Sequence, residues 1–201
     1  MLNSFKKNIT FFLLLTVYVN LNGQLLIKHP DTETLVNKNF LGLKPNLLVT
    51  SISYKGYSKS IASFVAGTQY LFVKSGIILS TGIAANADGP NQSNCTGSKL
   101  GTVGYQPLSL LANNTTYDAA VLTISFIATT NQVSFNYIFA SDEYPEYVNK
   151  GVNDVFAFFI SGPGYKQPKN IALIPDTDIA VSVDGVNHLT NSKYYIDNKF
   201  W

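Results

Sequence analysis

The sequence predicts an all-β fold, an antiparallel β-sandwich of jelly-roll type with one short N-terminal helix, and three observations carry that prediction. Apolar residues recur as short runs, several alternating with polar residues at the period of two that turns one strand face toward a core. Clusters of Gly, Pro, Asn and Asp, such as NADGPNQSN, SGPG, IPDTD and DGVN, punctuate those runs. Aromatic residues make up 13% of the chain and charged residues only 13%, a balance that suits half-buried pleated surfaces.

Residues 1–23 have the make-up of an export signal: Lys6 and Lys7 precede an apolar core from Ile9 to Val19, and Gly23 is a small residue before the expected cut. That core is shorter than the roughly 20 apolar residues a membrane helix needs, and no later run reaches that length. Residues 24–201 are therefore expected to be one exported domain, secreted or at the cell surface, with no membrane span after the signal is removed. The single helix is expected near 31–41 (DTETLVNKNFL), where Asp31 or Thr32 caps the start and Leu35, Val36 and Phe40 face inward. Strands are expected at 47–54, 61–65, 76–80, 121–127, 133–139, 155–160, 171–174 and 179–183. Leu122, Ile124 and Phe126 share one face of 121–127, and Val133, Phe135, Tyr137 and Phe139 share one face of 133–139. The turn-rich ATTNQ between them makes the pair a hairpin.

Charge and chemistry exclude several function classes. The signal holds two of the fourteen basic residues and none of the twelve acidic ones, so the remaining domain is formally neutral. Every basic residue is Lys; without Arg or a basic stripe, nucleic acid is not an expected partner. Cys95 is the only cysteine, so no internal disulfide forms. A catalytic thiol would need a base, and only His29 and His188 could supply an imidazole. No G-x-S-x-G elbow, H-E-x-x-H pair, P-loop or dinucleotide fingerprint is present.

The run VSFNYIFASDEYPEY, followed by NDVFAFFISGPG, NIALIP and VSVDGVN, resembles the choice-of-anchor L domain family of bacterial secreted proteins. LVNKNFLG, GIILSTG, GPN and YDAAVLTISF occur upstream in the family's order, so the similarity runs from about residue 31 to 198. The resemblance implies a surface or secreted protein of the Bacteroidota kind, with no established biochemical activity. Two departures accompany it: Asp142 stands where most members carry Glu, and similar domains continue past the YYIDN segment. The second leads to the expectation that the last strands are missing from this chain, or that a partner completes it.

The acidic loop is the most chemically loaded segment. FASDEYPEYVNKGVNDVF brings Asp142, Glu143, Glu146, Asn153 and Asp154 close in sequence, with Ser141 and Asn149 among them. Like charges so close need a cation, hydrogen-bond donors or raised pKa values unless they splay into water. Hard carboxylate and amide oxygens on a loop suit Ca²⁺, although the EF-hand pattern is absent, so these five residues form the expected metal set. Two other readings stay open. In one, Asp142 and Asp154 accept backbone N–H bonds at turns while Glu143 and Glu146 face solvent. In the other, two carboxylates form a glycosidase pair beside Tyr144, Tyr147 and Phe156. The twelve tyrosines could build a binding face or simply fit strand surfaces, and the Asn-x-Ser/Thr sites at Asn91, Asn94, Asn113 and Asn114 mark polar loops.

The expectation adopted is a non-enzymatic extracellular module for adhesion or ligand binding, its ligand a carbohydrate or protein, with Ca²⁺ ordering the loop. The alternatives are a carbohydrate-active hydrolase using carboxylates of the 142–154 loop, and a structural spacer in a larger surface protein.

Overall fold

The computed structural model describes residues 25–42, 46–66, 73–89 and 97–197. The signal segment, Cys95, Asn91 and Asn94 lie outside them.

The described chain is mainly β and its ladders are all antiparallel. A three-stranded sheet has the order β1 (Leu25–Lys28), β3 (Ile61–Ala66), β4 (Ser75–Leu79). Ile61–Val65 face Leu79–Ser75 on one side, and Ala66–Ser63 face Leu25–Lys28 on the other. A second sheet pairs β2 (Leu47–Lys55) with β5 (Val121–Ala128), with a register irregularity between Val49 and Ser51. A third, short ladder joins β6 (Phe159–Ile160) to β7 (Lys169–Asn170).

The first core forms where the N-terminal helix meets the three-stranded sheet. Asp31 caps α1 (Thr32–Thr34) by accepting the Thr34 N–H at 2.8 Å, as the sequence predicts, and the turn runs on as a π-helix over Leu35–Phe40. Leu35 and Val36 are completely buried against β3 and β4, where Ile61 and Ala62 are buried too. Ser60 and Ser63 are buried with them, and their hydroxyls donate to the Gly82 and Lys28 carbonyls, so burial leaves neither hydroxyl unmet.

A second core sits in the C-terminal third. Ala172, Ile174, Val181 and Val183 are buried there, Ile174 and Val183 almost completely. The segments predicted as strands at 155–160, 171–174 and 179–183 are joined by isolated bridges, Val155 with Ser182 and Leu173 with Ala180, in addition to the β6–β7 pair. Irregular pairing is the physical consequence of the Pro and Gly that interrupt 162–168 and 175–178.

Three expectations change. Strand 121–127 does not turn back on 133–139; β5 pairs instead with β2, far earlier in the chain, where Ile52 faces Ile124 and Tyr54 faces Leu122. Residues 133–139 are extended but join no ladder among the described residues, and their rings supply the contact instead. Phe135 stacks on Phe158 at 4.0 Å, and Tyr137 meets Phe156 at 5.1 Å. The helix near 31–41 is also not alone: α2 (Gln106–Ala112) begins with Pro107 in its first turn and closes at Asn113 in the left-handed region.

Leu35→Ala should destabilise the chain by about 2–4 kcal/mol, the usual cost of deleting a fully buried Leu. Leu110→Ala, at a position 74% exposed, should stay within about 0.5 kcal/mol. Urea unfolding of both variants checks the contrast, and equal losses would contradict this placement of the core.

Candidate functional site

The acidic loop is folded onto a second loop rather than spread into solvent. Residues 142–151 turn tightly: the Tyr147 N–H donates to the Glu143 carbonyl at 2.9 Å, the Lys150 N–H to Tyr147, and Asn149 and Gly151 take positive φ values of 57° and 81°. Asn149 adopts that conformation at tolerable cost because its short side chain is among the few suited to it. The peptide between Tyr144 and Pro145 is cis.

The platform beneath is built by Asn187. Its side chain is fully buried and makes four bonds: Nδ2 donates to the Val183 and Asp184 carbonyls at 2.9 and 3.1 Å, and Oδ1 accepts the Leu189 and Thr190 N–H groups at 2.9 and 2.8 Å. A carboxamide can donate two protons and accept at two lone pairs, so Asn187 is saturated. Gly185 donates to the Ser182 hydroxyl, and Asn191 donates to the Gly185 carbonyl, which closes 182–191 into a hydrogen-bonded knot.

Three polar links clamp the acidic loop to this knot. Asp184 Oδ1 accepts the Asn149 N–H at 2.6 Å, Asn153 Oδ1 accepts the Asp184 N–H at 3.0 Å, and the Tyr144 hydroxyl donates to the Val186 carbonyl. Between these clamps Val148 is only 6% exposed, so the loop carries its own apolar plug. Burial, and then Tyr195, Asp184 and Asp154, push the Tyr144 hydroxyl up to about 12, which keeps it a donor at ordinary pH. Its ring packs edge-on to Tyr195 at 5.1 Å.

The five residues predicted to hold a metal are divided by this arrangement. Asp142, Glu143 and Asp154 are electrostatic neighbours. Burial raises the Asp154 carboxyl first and Asp142 raises it further, while Ser141 hydrogen-bonds to it and opposes the rise. Burial also raises Glu143, followed by the charges of Asp154 and Asp142. Asp142 ties the loop to another segment by accepting the Gly97 N–H at 2.8 Å. Asn153 has its side-chain oxygen on the Asp184 N–H, and Glu146 is exposed on the side of Tyr195. Among the described residues no three of His, Cys, Asp or Glu converge closely enough to share a metal ion. One atom is left over: Glu143 Oε2 is buried without any hydrogen-bond partner.

Two carboxylates and one amide escaped the sequence reading. Asp118, at φ 52°, accepts the Leu100 and Thr102 N–H groups and the Thr102 hydroxyl, fastening the segment that leads into β5 to residues 100–102. Asp184 and Asn187 carry the knot. Their signal was present in the turn chemistry of Asp-Gly and of Asn before a polar loop, which marks backbone-bonding side chains rather than ligands. Two clefts accompany these loops, one beside Val73 and residues 135–138, the other along Lys55, Gly56, residues 102–105 and Ala119; neither includes Glu143 or Glu146.

The segments that build this site, NYIFASDEYPEY, NDVFAFF and VSVDGVN, all fall within residues 26–200, which match the family model described as the choice-of-anchor L domain. The chain belongs to the choice-of-anchor L domain family. No curated protein matches the chain, and no solved structure does. In this choice-of-anchor L domain those segments make the knot, the clamps and the aromatic arms.

The sign of the pH dependence follows from the raised carboxyls. Below their ordinary values, 3.8 for Asp154 and 4.5 for Glu143, folded and unfolded chains are both protonated; above the raised folded values the folded chain carries the unfavourable charges. Stability contributed by these groups therefore falls as pH rises through that window. In chelator, the Glu143→Gln variant should gain melting temperature relative to the parent between about pH 4 and about pH 7. A constant difference across that range contradicts the placement of Glu143.

Proposed function

We propose that this choice-of-anchor L domain is a non-enzymatic extracellular or cell-surface module of β-sandwich plan, used for adhesion or ligand binding, in which Ca²⁺ reinforces the 141–154 loop. Family membership supports the surface-associated module, and no helix among the described residues is long and apolar enough to cross a membrane. Two polar side chains of the loop, Asp142 and Asn153, are spent on backbone clamps, an arrangement that serves shape more than turnover.

The observation that carries the metal part is Glu143 Oε2, buried and unpartnered beside the charges of Asp142 and Asp154. An uncompensated buried carboxylate oxygen is costly, and a cation offsets both its desolvation and the repulsion around it. Glu143, Asp154, Ser141 and loop carbonyls would hold the ion, with water completing the 6 to 8 oxygens that Ca²⁺ takes. Because no three acids converge, the affinity belongs with the weak extracellular class, about 10⁻⁴–10⁻³ M.

Calcium at about 10 mM should raise the melting temperature by about 3–10 °C over chelator, from mass action on the folded state. Glu143→Gln and Asp154→Asn should each abolish most of that rise while leaving the far-UV spectrum unchanged. Identical melting curves in calcium and chelator remove the metal from the proposal and leave the module without it.

A further inference from the structure

The segment 133–139 has the chemistry of a strand and, among the described residues, lacks a strand's partner. Among the described residues no hydrogen bond reaches a backbone N–H or C=O of 133–139. The segment is nevertheless held straight, because Phe135 and Tyr137 stack on Phe158 and Phe156. Val133, Tyr137 and Ile138 are 43%, 39% and 48% exposed, and a shallow cleft beside them is lined by Val73, Phe135, Asn136, Tyr137 and Ile138. A run of alternating N–H and C=O groups at strand spacing is complemented by another extended backbone more fully than by any other ligand.

The sequence around it narrows the occupant. Residues 119–141 contain no Lys, Asp, Glu or His, so the charges that natural edge strands use to refuse pairing are missing over both β5 and the segment. Antiparallel self-pairing centred on Asn136 sets Phe135 opposite Tyr137 and Val133 opposite Phe139 on one face. On the other face Ser134 meets Ile138, and the two Asn136 side chains meet on the axis. Aromatic and β-branched cross-strand pairs are the favourable ones, and no like charges oppose each other. A two-fold pairing of this kind closes as a dimer rather than growing into a fibre. Return of the segment onto β5 of the same chain competes less well, since it would break the stacking on Phe156 and Phe158 that a second copy leaves intact.

We propose that residues 133–139 form a strand-addition surface for a second copy of this chain, the two segments pairing antiparallel about a two-fold axis at Asn136.

Sedimentation equilibrium and amide hydrogen exchange of the purified chain at about 1 µM and about 100 µM test the proposal, a span that brackets micromolar association. The expected result is a dimer at the higher concentration, with the 133–139 amides protected there and unprotected on dilution. Asn136→Lys and Asn136→Glu should each weaken the dimer about tenfold or more by placing like charges on the axis, and an equimolar mixture of the two should restore it. Position 136 is exposed, so at about 1 µM, where the parent is itself dissociated, both variants should keep the parent's melting temperature, which separates lost pairing from lost folding. A monomer at 100 µM, protection that is the same at both concentrations, or a dimer indifferent to both variants would each overturn the proposal. So would strand capture from another protein by a chain that does not self-associate.

Discussion

The side chain of Asn187 is the interaction on which the C-terminal half of this domain depends. A buried carboxamide satisfies four backbone groups at once, two carbonyls before it and two N–H groups after it, where the chain turns too sharply for any ladder to do so. Each of those groups would cost about 1–3 kcal/mol if buried alone. No other residue type supplies two donors and two acceptors in that compass except Gln, whose extra methylene would have to be housed in a site with no exposed surface. The knot in turn presents the Asp184 carboxylate and the Val186 carbonyl to the acidic loop, and that docking brings Val148 out of water.

The dense carboxylates of the loop acquire a meaning from this docking. A loop carried onto another loop must satisfy its own backbone, and Asp and Asn do so by accepting N–H bonds at short range. Asp142, Asn153 and Asp184 are used that way across segments far apart in sequence. What remains is a local excess of negative charge: burial and then Asp142 raise Asp154, burial and then Asp154 and Asp142 raise Glu143, and one oxygen of Glu143 has no partner. Structural use and a residual electrostatic debt coexist in the same few residues, and the residual part is where a weakly held cation would act.

Much of the fold was legible in short-range patterns. The β class, the Asp31 cap and the strands expected at 47–54, 61–65 and 76–80, each within a residue of its observed bounds, follow from alternation, capping chemistry and turn residues, all of which are local. The pairing of β5 with β2 was not legible, because the same alternating face of Leu122, Ile124 and Phe126 suits any apolar partner strand, and proximity in sequence favoured 133–139. The acidic residues stood out by composition, but their division did not: whether Asp142 meets an ion or the Gly97 N–H depends on a segment forty-five residues away. Asn187 and Asp118 were overlooked because a residue that bonds only to backbone leaves no ligand-like spacing behind it.

The dependence of the acidic loop on the knot is most directly read from native-state hydrogen exchange of the Asn149, Phe156 and Asp184 amides, compared between the parent chain and Asn187→Ala. All three amides are bonded across the two loops or to the strand leading into the knot. Their protection is expected to fall together, by similar factors, when the carboxamide is removed. Loss confined to residues 183–190, with Asn149 and Phe156 as protected as before, would contradict it.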